Sequence, residues 1–332
     1  MDVQIVTAKR PAHRILAVSI ETLALFASLF DFDLAELQVG PMVRERRVDW
    51  SGHGLSVVAQ VAVVCDAGAL TAVLARRLQD AGVMVDGLGD ADVDWIIEAA
   101  GRPAGAAWSG GERVGCFSRI VMDVADESAT TITATHDGWI FTSPHPGGGL
   151  AVLIVAPSAM TMATTPDGIA KWLARSGRTV SPDAIVEIGR AEPVAPRLSA
   201  PLHVADRLII GEGALALDPL RGDGTGFALR GSLLAQAVLA AIDKGWDRVR
   251  CLAHYERRIR SAFSSHLRGC CVHYRAARHS DIWTGEITAM ERLAAQVDPR
   301  GERFEFRLEG VDLVPLTATD RRPARGRRGP VR

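Results

Sequence analysis

The sequence predicts an α/β protein: a parallel sheet with crossover helices, interrupted by an antiparallel insert and followed by C-terminal helices. Three observations carry this reading. Strand, helix and strand patterns alternate over residues 55–85, the spacing of a βαβ unit. Residues 113–157 hold short alternating segments joined by Asp-Glu, His-Asp-Gly and Pro-Gly-Gly-Gly turns, which are hairpin signals. From Leu208 a short apolar strand runs into a glycine-rich loop and then a long apolar helix.

Taken in order, residues 3–7 read as a strand and 19–29 as a helix with Ser19 as its N-cap. A strand follows at 55–64. Residues 66–81 then place apolar side chains at 70, 73, 74 and 78, one buried face of a helix that Gly82 ends. Residues 83–85 and 94–102 read as further buried strands of the parallel sheet. The insert supplies strands at 114–124, 129–135, 139–143 and 150–155, and a helix at 166–175. Strand 208–210 returns to the first sheet, and helices are expected at 226–243, 248–268 and 285–296. The corresponding domain organisation is 1–102 and 198–284 for the two parts of the first domain and 103–197 for the insert. Residues 285–332 form a last helix and a disordered basic tail.

With 332 residues, 48% of them hydrophobic, and a net charge of −1, the chain can bury a sizeable core, and nothing general points to nucleic acid. Six of the twelve residues 321–332 are Arg and none is acidic, so the tail reads as a solvated extension and the rest of the chain is net acidic. The five cysteines, at 65, 116, 251, 270 and 271, lack both C-x-x-C pairing and zinc spacing, which fits a reducing cytoplasmic compartment and no metal. The start has no basic-then-apolar order of a signal peptide, and the apolar run 15–30 is broken by Glu21 and too short to span a bilayer.

Gly211-Glu212-Gly213-Ala214-Leu215-Ala216 satisfies G-x-G-x-x-A, but a dinucleotide loop must lead straight into a helix, and Asp218-Pro219 stands where that helix would begin. The better start is Thr225 or Gly226. The amides of Gly222, Asp223, Gly224 and Thr225 are therefore the ones placed to hold an anion or a carbonyl at a positive helix end. Glu212, just past a strand, can accept hydrogen bonds from a polyol. A plain tight turn with no ligand is the alternative.

Gly211-Glu212-Gly213-Ala214 with Asp218-Pro219-Leu220-Arg221-Gly222-Asp223-Gly224 resembles the second flavin-binding motif of the FAD-dependent aromatic hydroxylase and tryptophan-halogenase-like superfamily. The resemblance implies an FAD-binding Rossmann-like parallel sheet with an inserted antiparallel substrate sheet. It implies that Glu212 replaces the aspartate that contacts the ribityl chain. Asp218 and Pro219 would lie near the ring system, with the amides from Gly222 to Thr225 facing its pyrimidine end. Residues 65–85 and 94–102 are similar to other units of that superfamily. So is Gly138-Trp139-Ile140-Phe141-Thr142-Ser143-Pro144, with Phe141 in place of a second Trp, and so are Tyr255-Glu256-Arg257-Arg258 and His273-Tyr274-Arg275. The branch near quinone-cofactor maturation flavoproteins, which oxidise residues of partner proteins, is the most similar.

The family opens on a strand and G-x-G-x-x-G, whereas this chain resembles it only from the following strand, with Thr7 where a ribose-binding Glu is expected. A start inside a longer reading frame, a decayed remnant, and a partner that supplies the missing half all stay open. The parallel sheet is accordingly expected to be N-terminally incomplete.

No nucleophile–base pair is evident, which suits a protein whose cofactor carries the chemistry. Lys9, Lys171 and Lys244 match no halogenase motif. His136 and His145 flank the Trp139 strand. Trp139, Phe141 and His145 are candidate substrate contacts, with core packing or a solvated turn as the alternative for each. Tyr274 and His273 either cover the pocket or belong to a satisfied helix face. The expected function is an FAD-dependent oxidoreductase of monooxygenase type. Its substrate would be a small aromatic molecule or a residue bound in a partner protein, in natural-product or quinone-cofactor maturation. The alternatives are a non-catalytic flavoprotein-like binding module and an isoprenoid-lipid reductase.

Overall fold

The computed structural model describes residues 4–5, 15–32, 40–50, 54–85, 93–99, 101, 108–124, 128–157, 164–277, 282–298 and 304–316. Thr7, Lys9 and the basic tail lie outside them. The first elements are β1 (Gln4–Ile5), β2 (Ile15–Ser19), α1 (Ile20–Phe30), β3 (Met42–Asp49), β4 (Ser56–Asp66), α2 (Ala67–Asp80), β5 (Met84–Val85) and β6 (Ile96–Glu98). Then come β7 (Trp108–Ser109), β8 (Val114–Ile120), β9 (Ala129–Ala134), β10 (Trp139–Pro144), β11 (Leu150–Ala156), α3 (Pro166–Ala174), β12 (Ile185–Ile188) and β13 (Glu192–Pro193). The glycine segment is framed by β14 (Arg197–Leu198), β15 (His203–Val204), β16 (Arg207–Ile209), α4 (Gly211–Ala214), β17 (Leu215–Ala216) and α5 (Gly224–Asp243). Helices α6 (Arg248–Ala276) and α7 (Ile282–Val297) and the hairpin β18 (Phe306–Glu309) and β19 (Asp312–Pro315) complete the chain.

Local chemistry accounts for several boundaries. Ser19 caps α1 by accepting from the Thr22 amide, and Asp66 caps α2 by accepting from Gly68 and Ala69. The apolar run 15–30 divides at Ser19 into strand and helix. α6 extends eight residues beyond the expected end at 268, because Gly269 does not break it: a Cβ there would lie 2.8 Å from the Arg221 guanidinium, so the glycine gives room for that side chain to cross the helix. The β18–β19 hairpin falls in a stretch expected to be helix and tail, and Phe306 anchors it against Trp246 at 5.6 Å between ring centroids.

The main sheet has the order β12-β8-β11-β10-β9-β3-β4-β2. Its neighbours are antiparallel except β3 and β9, which run parallel with Arg46 beside Thr130 and Val48 beside Ile132. The expectation for residues 55–64 is corrected here. β4 is not a strand of the parallel sheet; it pairs antiparallel with β2 and β3. Hydrophobic alternation marks a strand but does not name its partner. The sheet therefore crosses the expected boundary at 102. The parallel pairing lies instead in β1 with β5 and in β6 with β16. β6 is also not buried as expected: Ile96 and Ile97 are 46% and 42% exposed, and among the described residues β16 is its one strand neighbour.

The main sheet has two apolar faces. One packs Ile140, Val152 and Ile154 against Ile169, Trp172 and Leu173 of α3. The other packs Ile132, Trp139 and Leu153 against α5, α6 and α7 through Val238, Tyr255, Phe263, Leu267 and Trp283. Each large side chain so buried stabilises the fold by about 1.5–3 kcal/mol. α5 is long and apolar enough to cross a bilayer by length and composition, but Leu234, Ala235, Ala237, Val238 and Ala241 are used in this core.

Candidate active site

The glycine segment starts where β16 ends. The Ile210 amide donates to the Glu98 carbonyl at 2.8 Å, so the chain leaves the C-terminal ends of the parallel pair β6–β16, where α/β sheets bind ligands. Gly211 turns with φ +59°, and Glu212 sits half-buried in the single helical turn α4. β17 then pairs with β14 and brings the chain to Asp218, which caps a short 3-10 turn over Pro219–Arg221 by accepting from the Leu220 amide at 2.9 Å. Gly222 closes that turn with φ +67°, a conformation suited to glycine. A Cβ at Gly222 would lie 3.0 Å from the Arg46 guanidinium of β3.

α5 begins at Gly224, just before the expected start at Thr225 or Gly226, and no side chain caps its first turn. The Asp223 carboxylate turns instead to Arg230. Arg221, Gly222, Asp223 and Gly224 are exposed, while Gly226 is buried against Thr22 of α1. The first amides of a twenty-residue helix are thus presented without a capping side chain, and a helix N-terminus carries partial positive charge.

The Asp218 carboxylate points away from this exposed turn. It is 1% exposed and pairs with Arg113 at 2.9 Å, and the Tyr274 hydroxyl donates to it at 3.1 Å. That hydroxyl accepts in turn from the Trp139 indole nitrogen at 2.9 Å. Arg113, fully buried at the start of β8, also pairs at 2.6 Å with Glu286 of α7, and its guanidinium lies 5.1 Å from the centre of the Tyr274 ring. Burial alone would lower the arginine pKa, but Asp218 and Glu286 together hold it above the ordinary value, so Arg113 stays charged. Glu286 accepts further from the Glu112 amide at 2.9 Å, and Trp283 stacks on Tyr274 at 4.9 Å.

The backbone amide of Asp218 donates to His266 Nε2 at 3.0 Å, which requires that nitrogen to be an unprotonated acceptor. Burial pushes the His266 pKa down to about 4, and the Asp218 charge only partly opposes this. The turn that carries Pro219 is therefore held by β8, α6 and α7 together.

The predicted substrate residues separate along β10. Trp139 is 1% exposed and belongs to the buried network. Phe141 points to the same sheet face, half-buried, with Leu153 and Ile132 beside it. His145 lies at the far end, in the β10–β11 turn, where its Nδ1 accepts from the Gly147 amide at 2.9 Å. Six residues of strand put it roughly 20 Å from Trp139. His136 sits in the turn at the opposite end and pairs with Asp137. Lys244 pairs with Asp312, and Lys171 belongs to α3 on the other face of the sheet.

Sequence reasoning missed Arg113, Glu286, Trp283 and Arg46. One signal was available for the first: Gly110-Gly111 precede an arginine entering an apolar strand. Gly111 has φ +113°, and a Cβ there would fall 2.0 Å from the Glu286 carboxylate. Two surface clefts open elsewhere. One of about 480 Å³ lies between α6 and α7 along Arg268, Cys271 and Glu291, and one of about 330 Å³ lies beside His203, Arg248 and Glu256.

No family model matches the chain, and no curated protein matches it by sequence. Solved structures do match its fold. It is similar to QhpG, a peptidyl tryptophan dihydroxylase essential for tryptophylquinone cofactor biogenesis, with TM-score 0.73 and 20% identity over 95% of this chain and 80% of that one. It is similar to CmlS, a flavin-dependent halogenase, with TM-score 0.72 and 16% identity over 86% of this chain and 63% of that one. The myxobacterial chondrochloren halogenase CndH, an FAD-dependent halogenase, gives TM-score 0.68 and 13% identity over 89% and 91%. The inserted antiparallel sheet, the glycine turn and the C-terminal helices together make the fold of this chain that of the FAD-dependent hydroxylase and halogenase-like proteins.

Proposed function

We propose that this chain is an FAD-dependent oxidoreductase of the monooxygenase type that acts on an aromatic group, either of a small molecule or of a residue in a partner protein. The observation that carries the reading is the exposed, uncapped start of α5 beside the Gly222 turn, in a fold shared with FAD-dependent hydroxylases and halogenases. The amides of Gly224 and Thr225, at a positive helix end, fit the carbonyl-bearing edge of an isoalloxazine ring. Pro219 and Gly222 would pack beside it, with Asp223 flanking the turn and Glu212 accepting from the ribityl hydroxyls. Asp218 would hold the turn rather than meet the ring, because its carboxylate is committed to Arg113 and Tyr274.

When bound, the flavin supplies the redox and oxygen-transfer chemistry. The chain's own contribution is to hold the turn rigid and to offer the substrate the Phe141 face of the sheet. His145 would serve at the outer end of that face. The likeness to QhpG supports a protein-bound aromatic residue as one substrate class. Five buried free thiols suit a reducing, cytoplasmic compartment.

The test is titration of the purified chain with FAD, followed by absorbance in the flavin bands. A stoichiometric bound flavin with a perturbed spectrum is expected. A folded protein that stays colourless after added FAD would overturn the proposal and favour the non-catalytic binding module.

A further inference from the structure

Cross-strand register places one row of polar side chains across the helix-facing side of the main sheet. Phe141, Ile132 and Val48 share a row on that face. Two residues further along each strand come Ser143 of β10, Thr130 of β9 and Arg46 of β3, all on the same face because side chains alternate with period two. Arg119 of β8 joins the row through Ala151, which opposes both it and Ser143.

This row carries unmet hydrogen-bonding capacity. Thr130 and Ser143 are each 1% exposed, and the Thr130 and Ser143 hydroxyls and Arg46 Nε are buried without a hydrogen-bond partner among the described residues. Buried polar groups are nearly always paired, so three unmet groups side by side in one row are unusual. Arg46 is the most telling of them. Burial lowers its pKa, and among the described residues no acidic group opposes this, unlike Arg113, which two carboxylates neutralise. Its guanidinium lies against Gly222, at the turn where the ring-binding amides were placed above. A half-buried guanidinium with no carboxylate beside it among the described residues suits an anion with two oxygens in one plane.

We infer that the Arg46–Thr130–Ser143 row is the specificity element for the substrate, and that it takes a carboxylate carried by an aromatic molecule or residue whose ring lies on the Phe141 row. Arg46 makes the charged contact, and the two hydroxyls continue the polar strip away from the glycine turn. The Phe141 and Arg46 rows are separated by roughly 7 Å along the strands, the reach of one ring with a short carboxylate arm. This inference rests on the flavoprotein reading for the identity of the substrate, but the row binds through the chain's own groups.

The experiment is a ligand-observed NMR titration with phenylacetate and with phenylacetamide, its uncharged counterpart, carried out without flavin and repeated after FAD addition. The unmodified chain is expected to bind phenylacetate at least about tenfold more tightly than the amide. Arg46→Gln should abolish that preference, Arg46→Lys should retain part of it, and Thr130→Val should weaken phenylacetate alone. Thermal unfolding of each variant reports whether it is folded. Equal binding of the two probes, or a preference that survives Arg46→Gln, would overturn the inference. Sulfate competing as well as phenylacetate would also overturn it, leaving a plain anion site. Absorbance read in the same samples keeps the two proposals apart: carboxylate preference without flavin uptake defeats only the flavoprotein reading, and flavin uptake without the preference defeats only this one.

Discussion

Replacing Arg113 with Met tests whether the buried ionic network is what holds the Pro219 turn. In the native chain one guanidinium, fully buried, serves two carboxylates, with contacts of 2.9 Å to Asp218 and 2.6 Å to Glu286. The Asp218 side chain is inaccessible and that of Glu286 is 10% exposed, so water cannot stand in for the lost cation. Removing one member of such a buried pair typically destabilises by about 3–5 kcal/mol, because it strands the opposite charge. That is a large share of the roughly 5–15 kcal/mol that holds a typical domain. The triple variant Arg113→Met, Asp218→Asn, Glu286→Gln removes all three charges and keeps oxygens for the Leu220 and Glu112 amides. It is expected within about 1 kcal/mol of the native chain, since uncharged replacements of buried ion groups are often neutral or better. Urea unfolding followed by far-ultraviolet circular dichroism and tryptophan fluorescence measures both. If the single variant lost less than about 1 kcal/mol, or the triple variant were as unstable as the single, packing around the arginine stem would be the operative term. The ionic account would then fail.

Tyr274→Phe deletes the hydroxyl between Trp139 and Asp218 and leaves the buried indole N–H without an acceptor; a loss of about 1–3 kcal/mol is expected in urea unfolding, with a shift in tryptophan emission. His254 and His266 are both held neutral, with pKa values pushed down to about 4 chiefly by burial. The unfolded chain binds their protons first, so these two groups should lower stability as pH drops from about 6.5 to about 4, by roughly 3 kcal/mol for each histidine. Urea midpoints at a series of pH values measure this, and His254→Leu should remove about half of the slope. Gly222→Ala must place a side chain at φ +67° and 3.0 Å from Arg46, and is expected to lower the unfolding midpoint by the equivalent of about 1–2 kcal/mol. A midpoint unchanged within error would show that the turn relaxes freely.

Much of the architecture was legible because it is written locally. Ser19 and Asp66 cap helices where their side chains reach the next amides, and the turns at His136-Asp137-Gly138 and Pro146-Gly147-Gly148-Gly149 join the strands they were expected to join. The glycine segment was legible for the same reason: Asp218-Pro219 blocks a helix and Gly222 permits a tight turn. The partners of strands were not. β3 reads Met-Val-Arg-Glu-Arg-Arg-Val-Asp, too charged to suggest a central strand, yet it lies between β4 and β9. Arg46 and Arg113 look alike in sequence, and only the fold brings Glu286, more than 170 residues away, to one and leaves the other, among the described residues, without a carboxylate. Trp139 illustrates the converse. An aromatic at a plausible pocket position proved to be a hydrogen-bond donor in the core, because Tyr274 arrives from α6 to receive it.

The parallel pairing of β3 with β9 has a consequence for how the chain must be made. Residues 45–49 meet residues 129–133, and everything between them must be looped out before that pair can zip. Parallel ladders give nothing back until the loop is closed, so this seam is an entropic bottleneck and a candidate for the slowest step of folding. The same seam ties the early strands to the late ones as one cooperative unit. A scission anywhere between residues 50 and 128 leaves two fragments that must find each other by association, and neither carries a finished sheet. Dividing this protein for expression at the apparent change of character near residue 103 would therefore yield two sticky halves instead of two modules.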